Sequence, residues 1–179
     1  MRLGCVLPTL GPLGGPDALT RVAQRAEALD YHSLWVADRL LFPLAPRTPY
    51  PATADGVLPD YFKRCMDPLE ALTFAAAHTR RITLGTSVLN MPFYNPVVLA
   101  RRLATLDVLS GGRLRVGLGQ AWSADELEAV GVDPKARASR ADEFIRVLQA
   151  MWGPDPVEFQ GRHFRLTDVH GSVVREILA

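Results

Sequence analysis

Residues 81–122, RITLGTSVLNMPFYNPVVLARRLATLDVLSGGRLRVGLGQAW, constrain the fold more than any other part of the chain. The run from Ile82 to Val88 is apolar and β-branched enough to predict a strand buried on both faces. Asn90 to Tyr94 read as an irregular loop, and Asn95-Pro96 then opens a helix as N-cap and first helical residue. Leu99, Leu103 and Leu106 fall on one stripe of that helix, which Gly111-Gly112 ends. Leu114 to Gly119 form the next strand, breaking off in a polar loop. Two buried strands joined by one helix make a βαβ unit, and its strands must be parallel. Function in such units gathers in the loops beyond the strands' carboxyl ends, here Asn90 to Tyr94 and Gln120 to Glu126.

The same alternation runs through the rest of the chain. Arg2 to Leu7 is a short apolar strand followed by a Gly/Pro-rich loop, and Pro16-Asp17 starts a helix with Leu19, Val22, Ala23, Ala26 and Leu29 at helical spacing. Ser33 to Ala37 is a second buried strand ending in Asp38-Arg39. A long Pro- and Tyr-rich connection, Arg39 to Met66, exceeds the 12–15 residues above which loops are usually functional. Asp67-Pro68 caps a helix through His78, and further helices are expected over Asp125–Val130 and Ala138–Trp152. A hairpin is expected from Val157–Phe159 and Arg162–Leu166 around Gln160-Gly161. Four strand–helix units mean an α/β fold with a parallel sheet. An open doubly wound sheet and a (β/α)8 barrel both satisfy that pattern. About 150 residues for four units projects to about 300 for eight, which suits a barrel of which this chain holds the first four units. Such a half exposes two strand edges, which another chain, a second copy or a longer product would cover. Residues 167–179 do not fit a strand and read as an atypical tail after a unit spanning 1–166, as a truncated or frameshifted product would carry.

Composition excludes several classes. The net charge of +1, with its 20 basic residues scattered, argues against a nucleic-acid partner. No apolar run reaches the ~20 residues of a membrane helix. Cys5 and Cys65 lie far apart, as suits a reducing cytoplasmic setting. The four histidines have no ligand spacing, so no metal site is expected, and no nucleophile elbow or phosphate loop is present. Gly117-Leu118-Gly119 lacks the third glycine of a dinucleotide fingerprint, since residue 122 is Trp.

The block TSVLNMPFYNPVVLARRLATLDVLSGGRLRVGLGQAW resembles the signature of the luciferase-like flavin and deazaflavin oxidoreductases, most of all the coenzyme F420-dependent branch, and the resemblance extends from Leu3 to about Leu166. It implies a TIM-type barrel, of which this is the N-terminal half. It also implies hydride transfer between bound F420 and a small organic substrate, or the FMN-dependent monooxygenase chemistry of the same fold; a non-catalytic fragment or interaction subunit is the reading from another class. The resemblance further implies a non-proline cis peptide at Ser87-Val88 bracing the ring. Asp38, Thr86 and Asn90 would bond its edges, and Gly117 and Gly119 would let it approach closely. Arg39 stands where the family often has a catalytic His. It cannot shuttle protons near neutrality, so Arg39 and Trp122 are expected to face the substrate, with Arg39 holding an anion or a carbonyl edge. The cofactor's phosphate would be held by the other half of the barrel, and a homo-oligomer or a partner chain is expected over the open edges.

Overall fold

The computed structural model describes residues 1–171. Its main sheet has four parallel strands, β1 (Gly4–Val6), β2 (Ser33–Val36), β3 (Thr83–Asn90) and β4 (Leu114–Gly119), in spatial order β1-β2-β3-β4. A doubly wound sheet reverses its order at a switch point. This one runs straight through, which is the winding of a (β/α)8 barrel. The chain therefore forms the first four units of an incomplete barrel.

The helices are α1 (Pro16–Ala28), α2 (Pro68–His78), α3 (Pro96–Ser110), α4 (Ala124–Ala129) and α5 (Arg137–Met151). Neighbouring pairs α1/α2, α2/α3 and α3/α5 pack side by side on one face of the sheet. Capping explains the starts of α2 and α3. The Asp67 carboxylate accepts from the amides of Leu69 and Glu70, and the Asn95 side chain from those of Val97 and Val98. Gly111, at φ 70°, ends α3 in the left-handed conformation. The predicted stripe Leu99, Leu103 and Leu106 is buried against a core that includes Leu34, Leu72, Leu84 and Phe144.

Several expectations need correction. The third strand runs on through Asn90, so Asn90 is its last residue, and a single 3-10 turn (Met91–Phe93) follows. That strand is not buried on both faces: Ser87 and Val88 are exposed, because only one side of the sheet carries helices. The hairpin of β5 (Val157–Gln160) and β6 (Arg165–Val169) takes in Thr167 to Val169, which the sequence reading placed in the tail. The Glu143 carboxylate of α5 fastens its turn by accepting from the amides of Arg162, His163 and Phe164. Residues 172–179 of the tail lie outside the described residues. Among the described residues β1 and β4 each pair on one side only, and Val6 and Val116 there are 66% and 37% exposed.

Candidate active site at the carboxyl ends of the strands

The uncovered face of the sheet has its own floor. Trp35, at the middle of β2, lies over Gly85 of β3 and Gly4 of β1. A Cβ at Gly85 would collide with the indole ring, and one at Gly4 would sit 2.8 Å from its Nε1. The indole N–H donates to Ser33 Oγ at 2.8 Å, which fixes the ring across the strands. Above this floor, toward the carboxyl ends, Val6, Trp35, Val36, Ala37 and Ser87 line an apolar depression of about 350 Å³.

Ser87 and Val88 reach this mouth because β3 carries a bulge. Between Thr86 and Leu89 it holds one more residue than β4 does between Val116 and Leu118, so the ladder slips. The Ser87–Val88 peptide within the bulge is cis. Thr86 repairs the ladder beneath it. Its hydroxyl donates to the Gly117 carbonyl at 2.9 Å and accepts from the Gly117 amide at 3.0 Å. The bulge also accounts for both glycines of β4: a Cβ at Gly117 would strike the Thr86 carbonyl oxygen at 2.5 Å, and one at Gly119 would overlap Val88. Thr86, Gly117 and Gly119 thus serve the fit of β3 to β4. Thr86 is 1% exposed with its hydroxyl bonded on both sides, which corrects the expectation that it reaches a ring edge.

Asp38 closes β2 at the same mouth and is 8% exposed. Its Oδ2 accepts from the Asn90 amide at 2.8 Å and from the Tyr94 hydroxyl at 3.3 Å, while its carbonyl accepts from Asn90 Nδ2 at 3.2 Å. Asn90 Oδ1 accepts in turn from the Ala121 amide at 3.2 Å, tying the end of β2 to the segment after β4. Burial pushes the Asp38 carboxyl up to about 6, against the pull of the Asn90 and Tyr94 bonds and with help from the charges of Asp67 and Glu126. Tyr94 is driven upward by its own burial and by Asp38, so it stays an O–H donor. The pair places at the mouth a carboxyl able to gain or lose a proton near neutrality.

Arg39 does not stand open at the mouth. Its side chain is 5% exposed and pairs through Nη1 with Glu126 Oε2 at 3.2 Å. The guanidinium lies 4.9 Å from the centroid of Trp122 and 5.4 Å from that of Phe62. Tyr50 packs on both rings, at 5.4 and 5.5 Å between centroids. The Arg39 charge is met inside the protein, which corrects the expectation that Arg39 faces the substrate and holds an anion or a carbonyl edge. Trp122, half-buried, presents a face to Arg39. A second arginine of the long connection, Arg47, bonds Asp125 and Glu128 of α4 at the surface. Among the described residues no cluster of His, Cys, Asp and Glu is placed to hold a metal ion, and no helix is long and apolar enough to cross a membrane.

Sequence reasoning missed four residues: Trp35, Tyr94, Glu126 and Phe62. Trp35 looked like core among Leu34 and Val36, although the glycines on both flanking strands were the signal that a large ring needs room. Glu126 sits in a run, ADELEA, that reads as a short helix, with nothing in the sequence to set its carboxylate apart from those of Asp125 and Glu128. Tyr94 and Phe62 gave no signal apart from their loops.

The carboxyl-end face of a barrel-type sheet is where enzymes of this architecture place their active sites, and an apolar depression with a few polar groups at its rim is the candidate site there. The family model described as luciferase-like monooxygenase matches residues 1–176. The chain belongs to the luciferase-like monooxygenase family. An uncharacterised protein of Mycobacterium tuberculosis is 35% identical over 162 residues, covering 90% of this chain and 56% of that protein. An F420-dependent glucose-6-phosphate dehydrogenase of Amycolatopsis mediterranei is 32% identical over 158 residues, covering 86% of this chain and 43% of the enzyme. The solved monooxygenase RslO1 from Streptomyces bottropensis superposes with a TM-score of 0.76 at 28% identity, over 94% of this chain and 48% of that one. Solved proteins of this fold have been seen with F420 or with FMN. The chain spans about half the length of the relatives it matches.

Proposed function

We propose that the mouth binds the ring of a deazaflavin, coenzyme F420, for hydride transfer to or from a small organic substrate. The observation that carries this reading is the exposed Ser87–Val88 bulge standing beside the apolar depression over Trp35. The residues suit a flat ring system. Val6, Trp35 and Ala37 offer an apolar bed, the bulge a polar rim, and Asp38 a carboxyl with Oδ1 outside the bonds to Asn90 and Tyr94. Bound there, a deazaflavin supplies a two-electron hydride carrier. The chain's own share is to seat the ring on Ser87 and Val88, to bond its edge through Asp38 and Asn90, and to offer Asp38 for proton exchange with substrate. The phosphate would be held elsewhere, since Arg39 and Arg47 are both committed to carboxylates of α4. A second polypeptide segment over the edges of β1 and β4, from a partner chain or a second copy, would complete that part of the site.

An FMN-dependent monooxygenase is the second reading. It is favoured by the 28% identity and close superposition with the monooxygenase RslO1.

Fluorescence titration with F420 and, separately, FMN tests both. Saturable binding of F420 alone, weakened by Asp38→Ala, is the expected outcome. Binding of FMN alone would move the chain to the monooxygenase reading. A folded chain that binds neither would overturn the claim that this mouth suffices to hold the ring.

A further inference from the structure

We infer that Arg39 and Glu126 are a positioning pair for Asp38: their buried contact fixes the backbone leaving β2 and so sets where the Asp38 carboxyl stands. Glu126 divides its oxygens. Oε2 takes the Arg39 guanidinium at 3.2 Å, while Oε1 accepts from the amides of Leu40 at 2.8 Å and Leu41 at 3.3 Å. A single carboxylate from α4 therefore holds three successive residues, 39 to 41, directly after Asp38. Asp38 itself is gripped from the opposite side by Asn90 and Tyr94. The two grips are joined, because Asn90 also bonds the Ala121 amide just before α4. Position 38 is thus held in a closed ring of contacts running through the ends of β2, β3 and β4.

Stability alone gives a poor account of this pair. At 5% and 1% side-chain exposure both charges lose their hydration, and apolar residues of similar volume usually serve stability as well or better. The charges add direction. A leucine at 126 would fill the space but would leave the Leu40 and Leu41 amides unheld. Phe62 and Trp122, stacked on the guanidinium, supply packing that an apolar chain at 39 would keep.

The inference rests on the mouth being the working site, yet its test needs no cofactor, so failure of one is visible apart from failure of the other. Amide hydrogen exchange on the whole chain is the measurement, applied to the double variant Arg39→Met/Glu126→Leu. The expected result is a retained melting temperature with exchange at Asn90 about tenfold faster or more, although neither substituted residue touches the Asn90 amide. Leu84, in the core of β3, should be unchanged, as should all these amides in Arg47→Ala. Faster exchange at Leu40 and Leu41 with Asn90 as in the parent would overturn the inference, reducing the pair to a loop fastener. Should the double variant not fold, exchange of the parent at low denaturant decides instead. Leu40, Leu41 and Asn90 opening together supports the pair's role, and Asn90 opening on its own overturns it.

Discussion

The two faces of the sheet are built to different standards. On the helix-covered face Leu34 and Leu84 are fully buried, Val36 and Thr86 nearly so, and the Thr86 hydroxyl is bonded on both sides within the sheet. On the open face Val6 is 66% exposed, Ser87 and Val88 project from a bulge, and one tryptophan lies across glycines. The same four strands present both faces, one residue apart. The difference teaches that stability and the candidate chemistry rest largely on different residues of the same strands, and that substitutions should separate accordingly.

Leu84→Ala should have the largest effect, about 2–5 kcal/mol of lost stability by chemical denaturation, because the 0%-exposed side chain leaves a cavity in the core. A value near zero would break the comparison at its root. Thr86→Val comes next. It keeps the shape but strips both bonds from the Gly117 amide and carbonyl, so about 1–3 kcal/mol should go.

Asp38 lies between the two faces and should show it through pH. Its carboxyl is raised from an ordinary 3.8 to about 6, so between those values the folded protein holds a proton that the unfolded chain has released. Stability at Asp38 is therefore greatest in acid and lost as pH rises from about 4 through 6. Asp38→Asn should flatten that slope and leave the protein more stable at pH 7, as thermal melts across the range would read. A variant with the parent's slope would show that the proton sits elsewhere. Ser87→Ala should have the smallest effect on folding, within about 0.5 kcal/mol, since the side chain is exposed. Loss of ring binding in that variant without loss of stability would sharpen the division between the faces.

The framework of this fold was legible because it rests on local chemistry. Asp67 and Asn95 announce their helices by side-chain capping, Gly111 stops α3 by its left-handed backbone, and the leucines of α3 are spaced for one buried face. The block from Thr86 to Gly119 carried the family resemblance, and with it the Ser87–Val88 position. Side-chain partners across long separations were not legible. Thr86 as a bridge to Gly117, Glu126 as the keeper of residues 39–41, and Tyr94 as the donor to Asp38 depend on which strands lie adjacent and where the bulge falls. Arg39 shows the limit most plainly. By sequence it is an arginine beside an aspartate at a strand end, free to meet a substrate. Only the packing of α4 and the long connection, bringing Glu126, Phe62 and Trp122 around it, makes it an internal cation. Sequence determined the elements and their order, because capping, periodicity and turn chemistry act over a few residues. Tertiary structure decided which polar groups remain available at the mouth, because burial and pairing are properties of distant segments brought together.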